Sequence, residues 1–278
     1  MAQNLHGKWV LLTGAASGIG KETCLLLAEE GCNFIIVDID EAGLSSIAGQ
    51  LESRGADVIQ KSLDITDRDS VMAFGGEVKE RIGAVDILVN NAGIGHLSDL
   101  RYTTFEDWQR LLNVNFMGTI NMNDAFLPAM IMRGGGQIVN VSTGQVFYPV
   151  PTWGAYAASK AALATYSECL TWELAMFKIR VTTVFPGLIS TSFYSRVRAG
   201  TLPQKFVLWY INALGSTPQK MALKIVSGIK RRKRRVIQSW VNWFNYLLKR
   251  ISPLGFDIVG ELFAWALCDR RREPRQVQ

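Results

Sequence analysis

The chain has 278 residues, 48% of them hydrophobic, enough for a substantial buried core; this excludes a chain disordered throughout. Its formal charge of +6 is unevenly spread: residues 224–278 hold thirteen Lys/Arg against four Asp/Glu, and the first 223 hold seventeen against twenty, so the positive excess belongs to the tail. The four cysteines, Cys24, Cys32, Cys169 and Cys268, form no CxxC pair, and the two histidines, His6 and His96, stand at no metal-ligand spacing, which excludes a structural zinc and fits a reducing compartment.

The first residues, MAQNLHGKWVLLTG, enter a strand without a charged region followed by a long apolar run. No secretory leader is expected, and the reading is a cytoplasmic protein. Strand-like runs then alternate with helical patterns: KWVLLT, a helix to Glu30, NFIIVD, Glu41 to Arg54, ADVIQKSLD, and Asp67 to Ile82. VDILVN, a long helical stretch from Thr104 to Met132, GQIVNVS, Gly154 to Phe177 and IRVTTVF continue the series. This rhythm, with near-continuous apolar strands such as FIIV and ILV, predicts a doubly wound α/β fold: a parallel sheet covered by helices on both faces. After Phe185 the rhythm breaks, and about 188–215 reads as a substrate loop. Pro218 to Ile229 then reads as a helix and VIQS as a seventh strand. No segment has the ~18–20 uninterrupted apolar residues needed to cross a bilayer.

The basic run at 230–235 leads into WVNWFNYLLKR, where Trp240, Trp243, Phe244, Leu247, Leu248 and Ile251 make an amphipathic helical stripe. A second helix-like stretch follows from about Phe256 to Cys268, with Val259, Leu262, Phe263 and Ala266 on one face. The chain thus divides into a catalytic domain, 1–239, and a helical extension, 240–278. The extension has three candidate roles: covering the substrate mouth, packing on the body or a sister subunit, or lying in a membrane interface with Trp at the boundary and basic groups toward anionic lipid. The basic run is short and outside any nucleic-acid motif, so no nucleic-acid partner is expected.

Two motifs carry chemistry. Between the first strand and first helix lies TGAASGIG, with Gly14, Gly18 and Gly20; glycines at such a turn let backbone approach a pyrophosphate, which the helix N-terminus then attracts. Asp38 ends the second strand 18 residues past Gly20, placed to accept hydrogen bonds from an adenosine ribose and to repel a 2′-phosphate. Ser17 and Ile39 stand where a basic residue would welcome that phosphate, so NAD is favoured over NADP. The second motif, AYAASKAAL, sets Tyr156 and Lys160 four apart on one helix face.

With these motifs the chain resembles the short-chain dehydrogenase/reductase family over nearly all of residues 7–190. TGAASGIG, LDIT at 63–66, NNAG at 90–93, NVNF with Asn115, YAASK, and FPG at 185–187 leading to Thr191 occur in the family's order. The resemblance implies a Rossmann fold and hydride transfer between a nicotinamide cofactor and an alcohol or ketone. Tyr156 would be the general acid or base, Lys160 would lower its pKa and hold the nicotinamide ribose, and Asn115 would position a relay water. It also implies cofactor contacts at Gly14, Ser17, Gly18, Ile19, Gly20, Asp38, Ile39, Asp64, Ile65, Asn91, Ala92, Gly93, Val114, Tyr156, Lys160, Pro186, Gly187, Ile189 and Thr191. A homodimer or homotetramer through the helices around NVNF and YAASK is implied as well.

One position departs from the family pattern, which has a serine thirteen residues before the tyrosine. That place holds Thr143, with Ser142 beside it. Adjacent strand residues face opposite ways, so the two hydroxyls cannot serve equally; strand register selects Thr143, while length changes in the following loop would bring in Ser142. The stretches VFYPVPTW at 146–153, LISTSFY at 188–194 and FVLWYI at 206–211 favour a lipophilic substrate of steroid, retinoid or long-chain acyl type. A protein that senses NAD or binds nucleic acid without catalysis is the alternative; it gives no reason for Tyr156, Lys160 and Asn115 to occur together.

Overall fold

The computed structural model describes residues 2–190, 205, 209, 215–252, 257, 258, 260, 261, 264, 265, 267 and 268. Thr191 and most of the 188–215 loop, together with Val259, Leu262, Phe263 and Ala266, lie outside the described residues.

Seven strands form one parallel sheet: β1 (Trp9–Thr13), β2 (Asn33–Asp38), β3 (Val58–Ser62), β4 (Ile87–Asn90), β5 (Gly136–Val141), β6 (Ile179–Phe185) and β7 (Arg235–Ile237), in the order β3-β2-β1-β4-β5-β6-β7. Because side chains alternate along a strand, neighbours enter different cores. Val10, Leu12, Phe34 and Ile36 pack on one face with α1 (Gly18–Glu29), α2 (Glu41–Glu52) and α7 (Pro218–Lys230). Leu11, Ile35 and Val37 pack on the other with α3 (Arg68–Ile82), α5 (Gly118–Arg133) and α6 (Gly154–Glu173). Both faces being covered explains the continuous apolar strands. Strand order reverses between β1 and β4, which opens a crevice at the carboxyl ends of the strands.

The helical stretch expected from Thr104 to Met132 is present, with one widened turn inside it. α4 (Phe105–Leu112), started by a Thr104–Asp107 capping box, gives way to a π turn at Asn113–Met117 before α5 begins. That widened turn contains Asn115, whose side chain is fully buried.

The basic run is partly spent on the chain itself. Lys230 pairs with Glu30 at 2.8 Å, and Arg235 with Glu168 at 2.6 Å. Arg232 donates to the Gln3 side chain and to the carbonyls of Gly136 and Lys178, fastening β7 to the foot of the sheet.

After β7, α8 (Trp240–Ile251) packs in an orientation that the apolar stripe did not foretell. Trp243, Phe244, Leu247 and Ile251 are 45–78% exposed, whereas Asn242 is completely buried. Among the described residues no helix is long and apolar enough to cross a membrane.

Candidate active site

Four loops at the carboxyl ends of β1, β4, β5 and β6, with the start of α6, build the site. Gly14, at φ +68°, turns the chain into a loop where a Cβ would lie 2.9 Å from Asn91 Nδ2 and 3.0 Å from Ala92 Cα. Both the left-handed backbone and the close approach require glycine. Asn91 draws the loops together: its amide donates to the carbonyls of Thr13 and Gly14, each at 3.1 Å, while Thr13 Oγ1 accepts from the N–H groups of Asn91 and Ala92.

The structure fits a dinucleotide at this turn. Ser17, the exposed N-cap of α1, makes no side-chain cap bond, and the first turn of that helix holds no acidic residue. Its free N–H groups and dipole suit a pyrophosphate. Asp38 receives the Ala16 N–H at 3.0 Å and the Asp40 N–H at 3.1 Å, which fixes its carboxylate beside the glycine loop. Ile39 next to it is 65% exposed. Asp64 accepts from the backbone and hydroxyl of Thr66, each at 2.8 Å, so its turn is stapled, and buried Ile65 gives its carbonyl to Asn121. Val114 is half-buried in the π turn, Pro186 is buried beside partly exposed Gly187, and Ile189 is buried in an isolated bridge to Ser216.

The chemical residues converge around Gly93, where a Cβ would meet Asn115 Oδ1 at 2.9 Å and Lys160 Nζ at 3.0 Å. Asn115 donates to the Ile94 carbonyl at 2.9 Å and to Ser159 Oγ at 3.0 Å, and accepts the Ile94 N–H at 2.8 Å. Both its amide hydrogens are engaged, and one lone pair of Oδ1 is left over. Ser159, in turn, donates to the Tyr156 carbonyl at 2.8 Å. Lys160 donates to the Val141 carbonyl at 2.9 Å, and burial lowers its pKa to about 8. Burial pushes the Tyr156 phenol up to about 12, opposed by a hydrogen bond to the Thr143 side chain.

The two adjacent hydroxyls part company here. Thr143 favours the ionised form of the Tyr156 phenol, and its Oγ1 accepts the Gln145 N–H at 3.3 Å. Ser142 donates instead to the Lys160 carbonyl at 2.8 Å, tying β5 to α6 from behind. Around Tyr156 lies an apolar cluster of Leu97, Leu111, Trp153 and Ala155, with Ile94, Trp108 and Val150 against it. Trp153 meets the Tyr156 ring edge-on at 5.7 Å.

Sequence reasoning missed Thr13, Ser159 and Asn242. Ser159 lies within YAASK and Thr13 directly before Gly14, so their motifs pointed to them; for Asn242 nothing did.

The short chain dehydrogenase family pattern matches residues 8–201. The chain belongs to the short-chain dehydrogenase/reductase family. It is 38% identical over 239 residues to a probable oxidoreductase of Mycobacterium tuberculosis, EphD, covering 81% of this chain but only 40% of that relative. The FabG 3-oxoacyl-acyl-carrier-protein reductase of Thermotoga maritima is 40% identical over 201 residues, covering 72% of this chain and 80% of FabG. A short-chain dehydrogenase/reductase from Burkholderia phymatum, solved with NAD, superposes with a TM-score of 0.83 at 23% identity over 99% of this chain and all of that one. The fold of that structure is the Rossmann-like sheet described above.

Proposed function

We propose that this oxidoreductase interconverts a secondary alcohol and a ketone on a lipophilic substrate, with NAD as its cofactor. The observation that carries this reading is the burial of Tyr156 in the apolar cluster, one helical turn from buried Lys160, which converges with Asn115 on Gly93. NAD, when bound, supplies the hydride acceptor and a positive charge at the nicotinamide. Gly14, the α1 N-terminus and Asp38 are the residues that would hold it, and the Asp38 carboxylate is the reason for preferring NAD to NADP.

Tyr156 exchanges the substrate proton, and the single Thr143 proton serves the phenolate in the free site and the substrate oxygen once substrate is bound. Bringing a phenol from about 12 to ~7 requires about 7 kcal/mol of preference for phenolate. A lysine cation about 5 Å from the phenol oxygen would supply about 3 kcal/mol at an effective dielectric of ~20. The value of about 12 already contains the help of Thr143, so the bound cofactor's charge makes up the rest. Asn115 holds the π turn to Ile94 and Ser159, with the spare lone pair of Oδ1 facing a relay water.

A long acyl chain, a steroid or a retinoid-type alcohol matches the apolar surroundings of Tyr156, and FabG is named for action on a 3-oxoacyl group. NAD favours the oxidative direction. The exposed Phe105, Met117, Trp172 and Met176 on the outer side of α4–α6 support a homo-oligomer through these helices. Peripheral membrane contact through 240–278 is supported by the outward apolar side of α8.

A screen of NAD reduction against lipophilic secondary alcohols tests the reading. Tyr156→Phe should abolish turnover while NAD still quenches protein fluorescence, and Thr143→Val should lower turnover about 100-fold or more. Normal turnover by Tyr156→Phe removes the mechanism; loss in Ser142→Ala alone reassigns the hydroxyl.

A further inference from the structure

The side chain of Asn242 is polar, entirely buried and contributed by the extension rather than by any of the catalytic motifs. It arrives at the first turn of α8, where its N–H donates to Ser239 Oγ at 3.1 Å. Its amide lies flat on Gly144, the residue after Thr143: a Cβ there would stand 2.7 Å from both Cγ and Oδ1 of Asn242. Glycine at 144 is thus what allows the seat.

Further contacts define the seat. The Tyr148 hydroxyl donates to Asn242 Oδ1 at 2.8 Å, and Asn242 Nδ2 donates to the Phe185 carbonyl at 3.4 Å. One residue beyond Phe185, the Pro186 carbonyl accepts the Gly144 N–H at 2.7 Å. Gln238 Oε1 accepts the Gly187 N–H at 2.8 Å, so the approach to α8 also holds the turn after β6. Phe147 packs between Phe185, at 4.6 Å, and Tyr246 of α8, at 5.0 Å. The turn at 144–148, which starts at Thr143, is therefore gripped by α8 on one side and by the Phe185-Pro186-Gly187 turn on the other.

We propose that Asn242 is a positioning residue: wedged between Gly144 and the Phe185 carbonyl and held by Tyr148, it fixes the turn that aims the Thr143 hydroxyl at Tyr156. This rests on the reading of Thr143 given above. The extension is then part of the catalytic assembly, acting through the backbone of residues 143–148 rather than by touching substrate.

The test follows the phenol itself and needs no substrate. In NAD-loaded protein, the pH at which the Tyr156 phenolate forms is read from the tyrosinate absorbance of each variant minus that of its Tyr156→Phe counterpart. Thr143→Val should raise that pH by about half a unit or more, because a hydrogen bond favouring phenolate is lost. Asn242→Ala should raise it comparably, and the double variant Asn242→Ala/Thr143→Val should go no further than Thr143→Val alone. Tyr148→Phe, which removes only the hydroxyl that holds Asn242, should shift it in the same direction and serves if Asn242→Ala does not fold. If Thr143→Val shifts the titration while neither Asn242→Ala nor Tyr148→Phe does, Asn242 is only a packing residue and the Thr143 reading survives. If Thr143→Val leaves the titration in place, the Thr143 reading and this proposal fall together.

Discussion

Lys160 shows at the scale of one residue how the site trades stability for chemistry. Its ammonium is buried, with the Val141 carbonyl as its recorded acceptor, and its pKa falls to about 8 from an ordinary 10.5. Between those two values the unfolded chain binds more protons than the folded one, so this residue makes stability rise as pH goes from about 8 to about 10.5. Below about 8 its cost is present in full. The buried thiols of Cys24 and Cys32, and the Tyr156 phenol, are shifted upward by burial and act in the opposite sense above pH ~9–10. The comparison of wild type with Lys160→Met isolates the lysine. At pH 7 and without dinucleotide, Lys160→Met should gain about 1–3 kcal/mol, the relief of burial being partly offset by the lost bond to Val141. It should also lose the alkaline rise in stability and all turnover. Urea unfolding from pH 7 to 10 checks this: a variant less stable at pH 7, with the wild-type slope, would contradict it.

At the scale of elements, the join of β1 to α1 and the end of β2 act as one unit, since Asp38 accepts the Ala16 N–H from within the glycine turn. Asp38→Asn keeps the side chain's shape and removes its charge. The ratio of the NADP to the NAD dissociation constant, measured by fluorescence quenching, is expected to fall about tenfold or more as repulsion of the 2′-phosphate disappears. An unchanged ratio would show that Asp38 serves only to shape the turn. The glycine turn, Asp38 and the Tyr156-Lys160 spacing were legible in the sequence because each follows from local chain geometry: a positive φ, a strand end, an i,i+4 face. The π turn at Asn113–Met117 was not, because it only widens a helix that runs on from α4 into α5. Asn242 was hidden for a related reason. In α8 periodicity marks the aromatic stripe and leaves its partner open, and nothing in it singles out the polar asparagine that a seat on Gly144, ~100 positions away, turns inward.

For the whole molecule, this seating of α8 leaves an apolar surface that the body does not cover. Trp243 and Phe244 are half-exposed and Ile251 is 78% exposed, while residues 224–278 carry thirteen basic against four acidic side chains. The internal ion pairs of Lys230 and Arg235 and the hydrogen bonds of Arg232 spend part of that charge on β7 and its neighbours. Burying one aromatic or branched side chain in a lipid interface gains ~1.5–3 kcal/mol, and each basic group near an anionic surface adds ~1 kcal/mol. Three such apolar residues with two or three cations suffice for reversible binding. The protein should therefore float with vesicles containing phosphatidylserine, less so as salt rises, and not with neutral vesicles. The triple change Trp243→Ser/Phe244→Ser/Ile251→Ser removes the outward surface without touching Asn242, and should abolish flotation while NAD binding persists. Failure of the intact protein to float on any vesicle would sink the membrane assignment. If the triple variant then also ran as a smaller assembly by sedimentation, the same surface would be a subunit contact, closing the apolar side of α8 against a second copy of the chain.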